Sequence, residues 1–161
     1  MSMIEVLVAL LITSIGVLGY AGMQLRALDT TENSHYRTQA TALAQDVSER
    51  VAANPQGYDR YSNPDNWPQA AVGGGVPNSW DACLGTTSDC TAEQMVNSDI
   101  EQARWFASQM LPNGRVLADA CDNSAALLCV TVAWGETTVA DCDPLANQCI
   151  RMEVLNWVVA P

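Results

Sequence analysis

Residues 1–25 read MSMIEVLVALLITSIGVLGYAGMQL. The only charge among them is Glu5, and the first basic residue is Arg26. Positions 6–25 give 20 uncharged residues. As a helix rising about 1.5 Å per residue, they are enough to cross a hydrocarbon core of about 30 Å. Glu5 sits at the outer end of this run. A carboxylate at bilayer depth costs a few kcal/mol or more, so it needs a partner. A free ammonium on Met1 lies one helical turn away. Within one subunit it would neutralise Glu5 in part. Between two helices packed side by side it would also fix their axial register through a buried ion pair. A secretory signal would carry a basic n-region and a shorter apolar core. An ordinary single-span anchor would show Lys or Arg on its cytoplasmic side.

The helix is expected to continue past Leu25. Tyr36, Ala40, Leu43, Val47 and Val51 recur at steps of three or four and form one apolar stripe. Glu32, Arg37, Gln39, Gln45, Asp46, Glu49 and Arg50 lie mostly off it. Pro55 disfavours helical geometry at Asn54, so the helix should end there, giving a helix of about 1–53. Gly16, Gly19 and Gly22 mark either close helix packing or a weak segment, and Asp29-x-x-Glu32 offers a second helix start. Two regions follow: a transmembrane or filament-core segment, 1–25, and a head domain, 26–161, that includes the second half of the helix.

Residues 54–90 read as loop, with turn signals at Asn63-Pro64, Trp67-Pro68, Gly73-Gly74-Gly75 and Pro77-Asn78. Tyr58, Tyr61, Trp67 and Trp80 would pin this loop to the domain or, as the alternative, form a contact surface for another subunit. Thr91-x-x-Gln94 reads as a capping box, so a second helix starts near Ala92, or else near Asp99 after Ser98-x-x-Glu101. Ile100, Ala103, Ala107, Met110 and Leu111 supply its apolar face, and Leu111-Pro112-Asn113-Gly114 ends it. Three strands follow: 115–118, 127–134 and 150–159. In the last, Ile150, Met152, Val154 and Val158 face one side, and Arg151, Glu153, Leu155 and Trp157 the other. The fold class is therefore α+β: a long N-terminal helix, a short second helix and a C-terminal antiparallel sheet.

The chain has 161 residues and a formal net charge of −11. Nothing basic is clustered, which argues against nucleic acid as a partner. Cys83, Cys90, Cys121, Cys129, Cys142 and Cys149 fall into three close couples. Local disulfides 83–90, 121–129 and 142–149 fit that spacing, although six cysteines allow 15 connectivities. Oxidised pairs put the head outside the cytoplasm, most simply in a bacterial periplasm. No catalytic residue, cofactor site or metal site is expected. His35 is the only histidine and sits on the polar side of the helix. The triple glycine lacks the Lys of a phosphate cradle. Asp59, Asn63 and Asp65 do not follow calcium-loop spacing, and Asp141-Cys142-Asp143 reads as solvated surface.

At Met1-Ser2-Met3-Ile4-Glu5-Val6-Leu7-Val8-Ala9-Leu10 the chain resembles the mature N-terminus of the type IV pilin superfamily. The resemblance extends to minor pilins of the type IV pilus. The residues that carry it are Asn33–Ala44, Glu49-Arg50, Ala53-Asn54-Pro55, and the stretch from Cys90-Thr91 to Leu111-Pro112-x-Gly114. It implies a disulfide-stapled pilin fold with no enzymatic activity. It also implies a leader removed by prepilin peptidase, N-methylation of Met1, and subunit docking through Glu5. The implied partners are other minor pilins and the major pilin along the N-terminal helix, together with a large tip adhesin. The implied location is the inner membrane with a periplasmic head before assembly, then the pilus tip. A minor pseudopilin of type II secretion is the nearest competing resemblance.

Overall fold

The computed structural model describes residues 2–70, 72, 76, 83–84, 89–122 and 124–155, with the backbone alone at 125 and 126. Helix α1 spans Met3–Ala53. Its backbone is helical at Gly16, Gly19, Gly22 and Asp29, so the second start at Asp29 is not used. The chain forms two compact units, Met1–His35 and Tyr36–Pro161.

In the second unit, Ala40, Leu43, Ala44, Val47 and Val51 of α1 are buried, and Tyr36 packs partly buried against the same core. This is the expected stripe. Asn54 leaves helical geometry, and its side-chain amide donates to the Ala92 carbonyl at 3.0 Å. That bond ties the end of α1 to the start of the next long helix.

The segment after α1 is more ordered than the loop expected from its turn signals. It forms a 3-10 turn at Pro55–Gly57, a short helix α2 at Tyr58–Tyr61 and a second 3-10 turn at Pro64–Asn66. Such single turns leave no periodic trace in a sequence. The oxygen of Asn63 caps the second turn by accepting from Asp65 N at 3.0 Å. Tyr61 and Trp67 are buried, and Trp67 Nε1 donates to the Tyr61 carbonyl at 2.8 Å. These two aromatics pin the segment. Trp80, the triple glycine and Pro77-Asn78 lie outside the described residues.

Helix α3 spans Ala92–Met110 and opens on the full capping box of Thr91 and Gln94. It runs through Ser98 and Asp99, so the later start is not taken. Ile100, Ala103, Ala107 and Leu111 are buried as expected, and Val96 joins them. Asn113 takes a left-handed φ of 50° in the turn that follows. Gly114 must be glycine because a Cβ there would collide with the Ala107 carbonyl.

Strands β1 (Arg115–Cys121), β2 (Ser124–Ala133) and β3 (Cys149–Leu155) form an antiparallel sheet in the order β1-β2-β3. Arg115 pairs with Ala133 across β1 and β2, and Val132 with Ile150 across β2 and β3. β1 is longer than expected and β2 starts earlier. Residues 156–159 of the third expected strand lie outside the described residues. Along β3, Ile150, Met152 and Val154 are half-buried while Arg151, Glu153 and Leu155 are exposed, as alternation requires. β2 is instead buried on both faces from Leu128 to Ala133. One face, with Leu128, Val130 and Val132, joins α1 and α3 in the main core. On the other, Ala133 packs with Val139 and Cys149 in a smaller cluster beside Leu117 and Cys142.

Three disulfides staple the head: Cys83–Cys90, Cys121–Cys129 and Cys142–Cys149. The second joins β1 to β2, and the third closes the loop between β2 and β3. The whole is an α+β pilin fold.

Candidate functional site

Two places carry the chemistry of this chain: the first unit's exposed helix and a buried polar network in the second unit. In the first unit, fifteen large apolar side chains from Met3 to Leu28 lie exposed, from 45 % at Val6 to 85 % at Met3. This is the one candidate membrane span among the described residues. Its hydroxyls at Thr13 and Ser14 are satisfied within the helix. Thr13 Oγ1 donates to the Ala9 carbonyl and Ser14 Oγ to the Leu11 carbonyl, each at 2.8 Å. That suits a helix surrounded by hydrocarbon. Glu5 lies in the first turn and is exposed, with its backbone N–H bonded to the Ser2 carbonyl at 3.0 Å. Met1, with its ammonium, lies outside the described residues.

In the second unit, Arg50 stands in the last turn of α1 and reaches across to α3. Its Nε donates to Asp46 Oδ2 at 2.8 Å, and one Nη to Asp99 Oδ1 at 2.8 Å and Gln102 Oε1 at 2.9 Å. Asp99 is 8 % exposed and also accepts a hydrogen bond from the Tyr61 hydroxyl. Gln102 donates onward to Ser98 Oγ at 3.1 Å. Burial opposes the charge on Arg50, but the bonds to Asp46 and Asp99 and their negative charges outweigh it, so its pKa is raised. Burial raises the Tyr61 phenol far above its ordinary value. Its bond to Asp99 and the charge of Asp99 act the same way, while Asn54 and Arg50 oppose in part. Tyr61 is thus locked as a donor. The group ties α1, α2 and α3 together and holds no activated nucleophile. Sequence reading set Arg50 aside as an off-stripe charge. Its partner on α3, Asp99, lies 49 positions further on, and no local pattern reveals that contact.

The remaining sequence candidates have local roles. Asp141 accepts from the Thr138 hydroxyl at 2.7 Å, and Asp143 from Leu145 N at 3.0 Å, so both shape the disulfide loop. His35 lies exposed on α1. Among the described residues, no group of His, Cys, Asp or Glu is arranged to hold a metal ion.

Residues 22–101 match the family model Tt1218-like, described as type IV pilin Tt1218. No curated protein and no solved structure matches the chain. The family match covers just under half of the chain and supports a place in the type IV pilin superfamily and a structural, pilin-like role. It begins after the N-terminal motif, so it is independent of Glu5. It spans the second part of α1, α2 and the first ten residues of α3, and so contains Asp46, Arg50, Tyr61 and Asp99.

Proposed function

We propose that this chain is a minor pilin of the type IV pilus, of the kind called PilV. In this reading it helps to prime pilus assembly and forms part of the tip complex. The carrying observation lies in the first unit: a run of exposed apolar side chains from Met3 to Leu28 with one acid among them, Glu5. Such a surface suits the inner membrane before assembly and a bundle of like helices afterwards. A Cβ at Gly16, Gly19 or Gly22 would meet nothing within 4 Å. Packing among the described residues therefore gives no reason for these glycines, whereas a neighbouring helix would. Glu5 docks against the N-terminal ammonium of an adjacent subunit and fixes the stagger, and Met1 is the processed, N-methylated terminus. The stapled head faces the periplasm and selects its neighbours: other minor pilins, the major pilin and a large tip adhesin.

The test is affinity isolation of the chain from a piliated bacterium, expressed with a prepilin leader ahead of Met1. Mass spectrometry then identifies the partners and the N-terminus. Recovery of type IV minor pilins and a tip adhesin, with methylated Met1, is the expected result. Recovery of type II secretion pseudopilins would move the chain to that machine. An unprocessed terminus with no pilin partner would overturn the reading.

A further inference from the structure

All seven basic residues of this chain are arginines, against 18 acidic ones. Three of them, Arg26, Arg37 and Arg151, are exposed, where water serves a charge well. The other four are half-buried: Arg50, Arg60, Arg104 and Arg115. Withdrawing a guanidinium from water costs free energy unless an opposite charge compensates. Arg50 has Asp46 and Asp99, and Arg60 has Glu93 at 3.6 Å. Among the described residues, Arg104 and Arg115 have no carboxylate within salt-bridge distance. Each donates instead to a backbone carbonyl, Arg104 to Ala70 at 3.1 Å and Arg115 to Thr137 at 3.0 Å. In so acidic a chain, two half-buried cations without counter-ions call for a reason.

Both arginines border the same hollow between α3, the α3–β1 turn and the segment after Trp67. Its main chamber is a cavity of about 160 Å³ walled by Gln69, Ser108, Asn113, Gly114 and Arg115. Arg104 lines a small side chamber that shares Gln69, Gly114 and Arg115 with it. Among the described residues, no acidic residue lines either chamber. Burial lowers the pKa of Arg104, and the nearest opposing charge, Glu101 on the same helix, only partly restores it. Asn113 is exposed at the rim, and its side chain makes no hydrogen bond among the described residues.

We propose that this cavity binds a small oxyanion, a carboxylate or a phosphate, between Arg104 and Arg115, with Asn113 as a further donor at the mouth. The guanidinium fork suits either chemistry. The volume lies below the usual range for drug-sized ligands, about 300–1,000 Å³, which limits the ligand to a few heavy atoms or to the anionic end of a larger one. The site does not depend on the pilus reading.

The test is a titration of the full chain in detergent micelles, followed through the Nε–H NMR signals of its arginines. Glutarate probes for carboxylate and inorganic phosphate for phosphate, with uncharged glutaramide as control. The expected result is a saturable shift of the Arg104 and Arg115 signals with one or both anions, at a Kd of about 1 mM or tighter. Glutaramide should have no effect, and the anion that binds identifies the ligand chemistry. Arg115→Gln should weaken binding more than tenfold, read at Arg104. Asn113→Asp, at an exposed position that an Asp tolerates at positive φ, should weaken it as well without touching the core. Absence of a saturable shift with either anion, or shifts unchanged by both substitutions, would overturn the proposal.

Discussion

Asp99 is the residue on which the head's polar interior turns. It is nearly buried, and Arg50 and Tyr61 both donate to it. Arg50→Met leaves that carboxylate without its counter-ion. The expected loss is about 3 kcal/mol, the lower end of the range for broken buried pairs because Arg50 keeps some exposure. Arg50→Met combined with Asp99→Leu should recover part of that loss in a denaturant titration, since no buried charge is then stranded. Asp119 behaves oppositely. Burial raises its carboxyl above the ordinary value; Arg151 pulls it down and Asp122 adds to the rise. The ionised form is therefore disfavoured in the folded state, so stability falls as pH rises through the carboxylate range. Asp119→Asn should raise the thermal midpoint at pH 7, with the gain disappearing below the reference pKa of 3.8, where both states are protonated. Neither behaviour could be read from the sequence. Asp99 entered the sequence reading only as an alternative helix start, with no partner attached, and the burial of Asp119 depends on tertiary packing.

At the scale of elements, local chemistry was largely legible. Pro55 ended α1, the Thr91 box started α3, and the 3–4 spacing named the buried stripe of α1 correctly. Thr91→Val should remove a cap worth about 1 kcal/mol, measurable as a lower unfolding midpoint. Gly114→Ala should cost more, about 1–3 kcal/mol or above, because the obstacle is the Ala107 carbonyl rather than a movable side chain. What escaped the sequence was non-local or too short. The helical turns between Asn54 and Trp67 lack a period. The double-sided burial of β2 comes from the returning loop and from Cys149 on β3. That loop is closed by Cys142–Cys149. Replacing both cysteines with Ser should cost ~2–3 kcal/mol in the chain-entropy model, and should loosen residues 135–148 first in hydrogen exchange.

At the scale of the whole molecule, the two units divide the labour. The head, Tyr36–Pro161, has its own core, ion network and staples. The first unit, Met1–His35, carries an exposed apolar surface of the kind that lipid or other helices cover. The acid in its first turn is the feature that the assembly reading explains and a plain anchor does not. The most direct measurement compares wild type, Glu5→Ala and Glu5→Gln for the amount of this chain in sheared pili, normalised to its membrane level. The assembly account predicts a loss of about tenfold or more for both variants, the effect of removing one buried charge pair of ~1.4 kcal/mol or more, with the head's disulfides and thermal midpoint unchanged. Equal incorporation of all three would contradict it, because Glu5 would then have no part in docking.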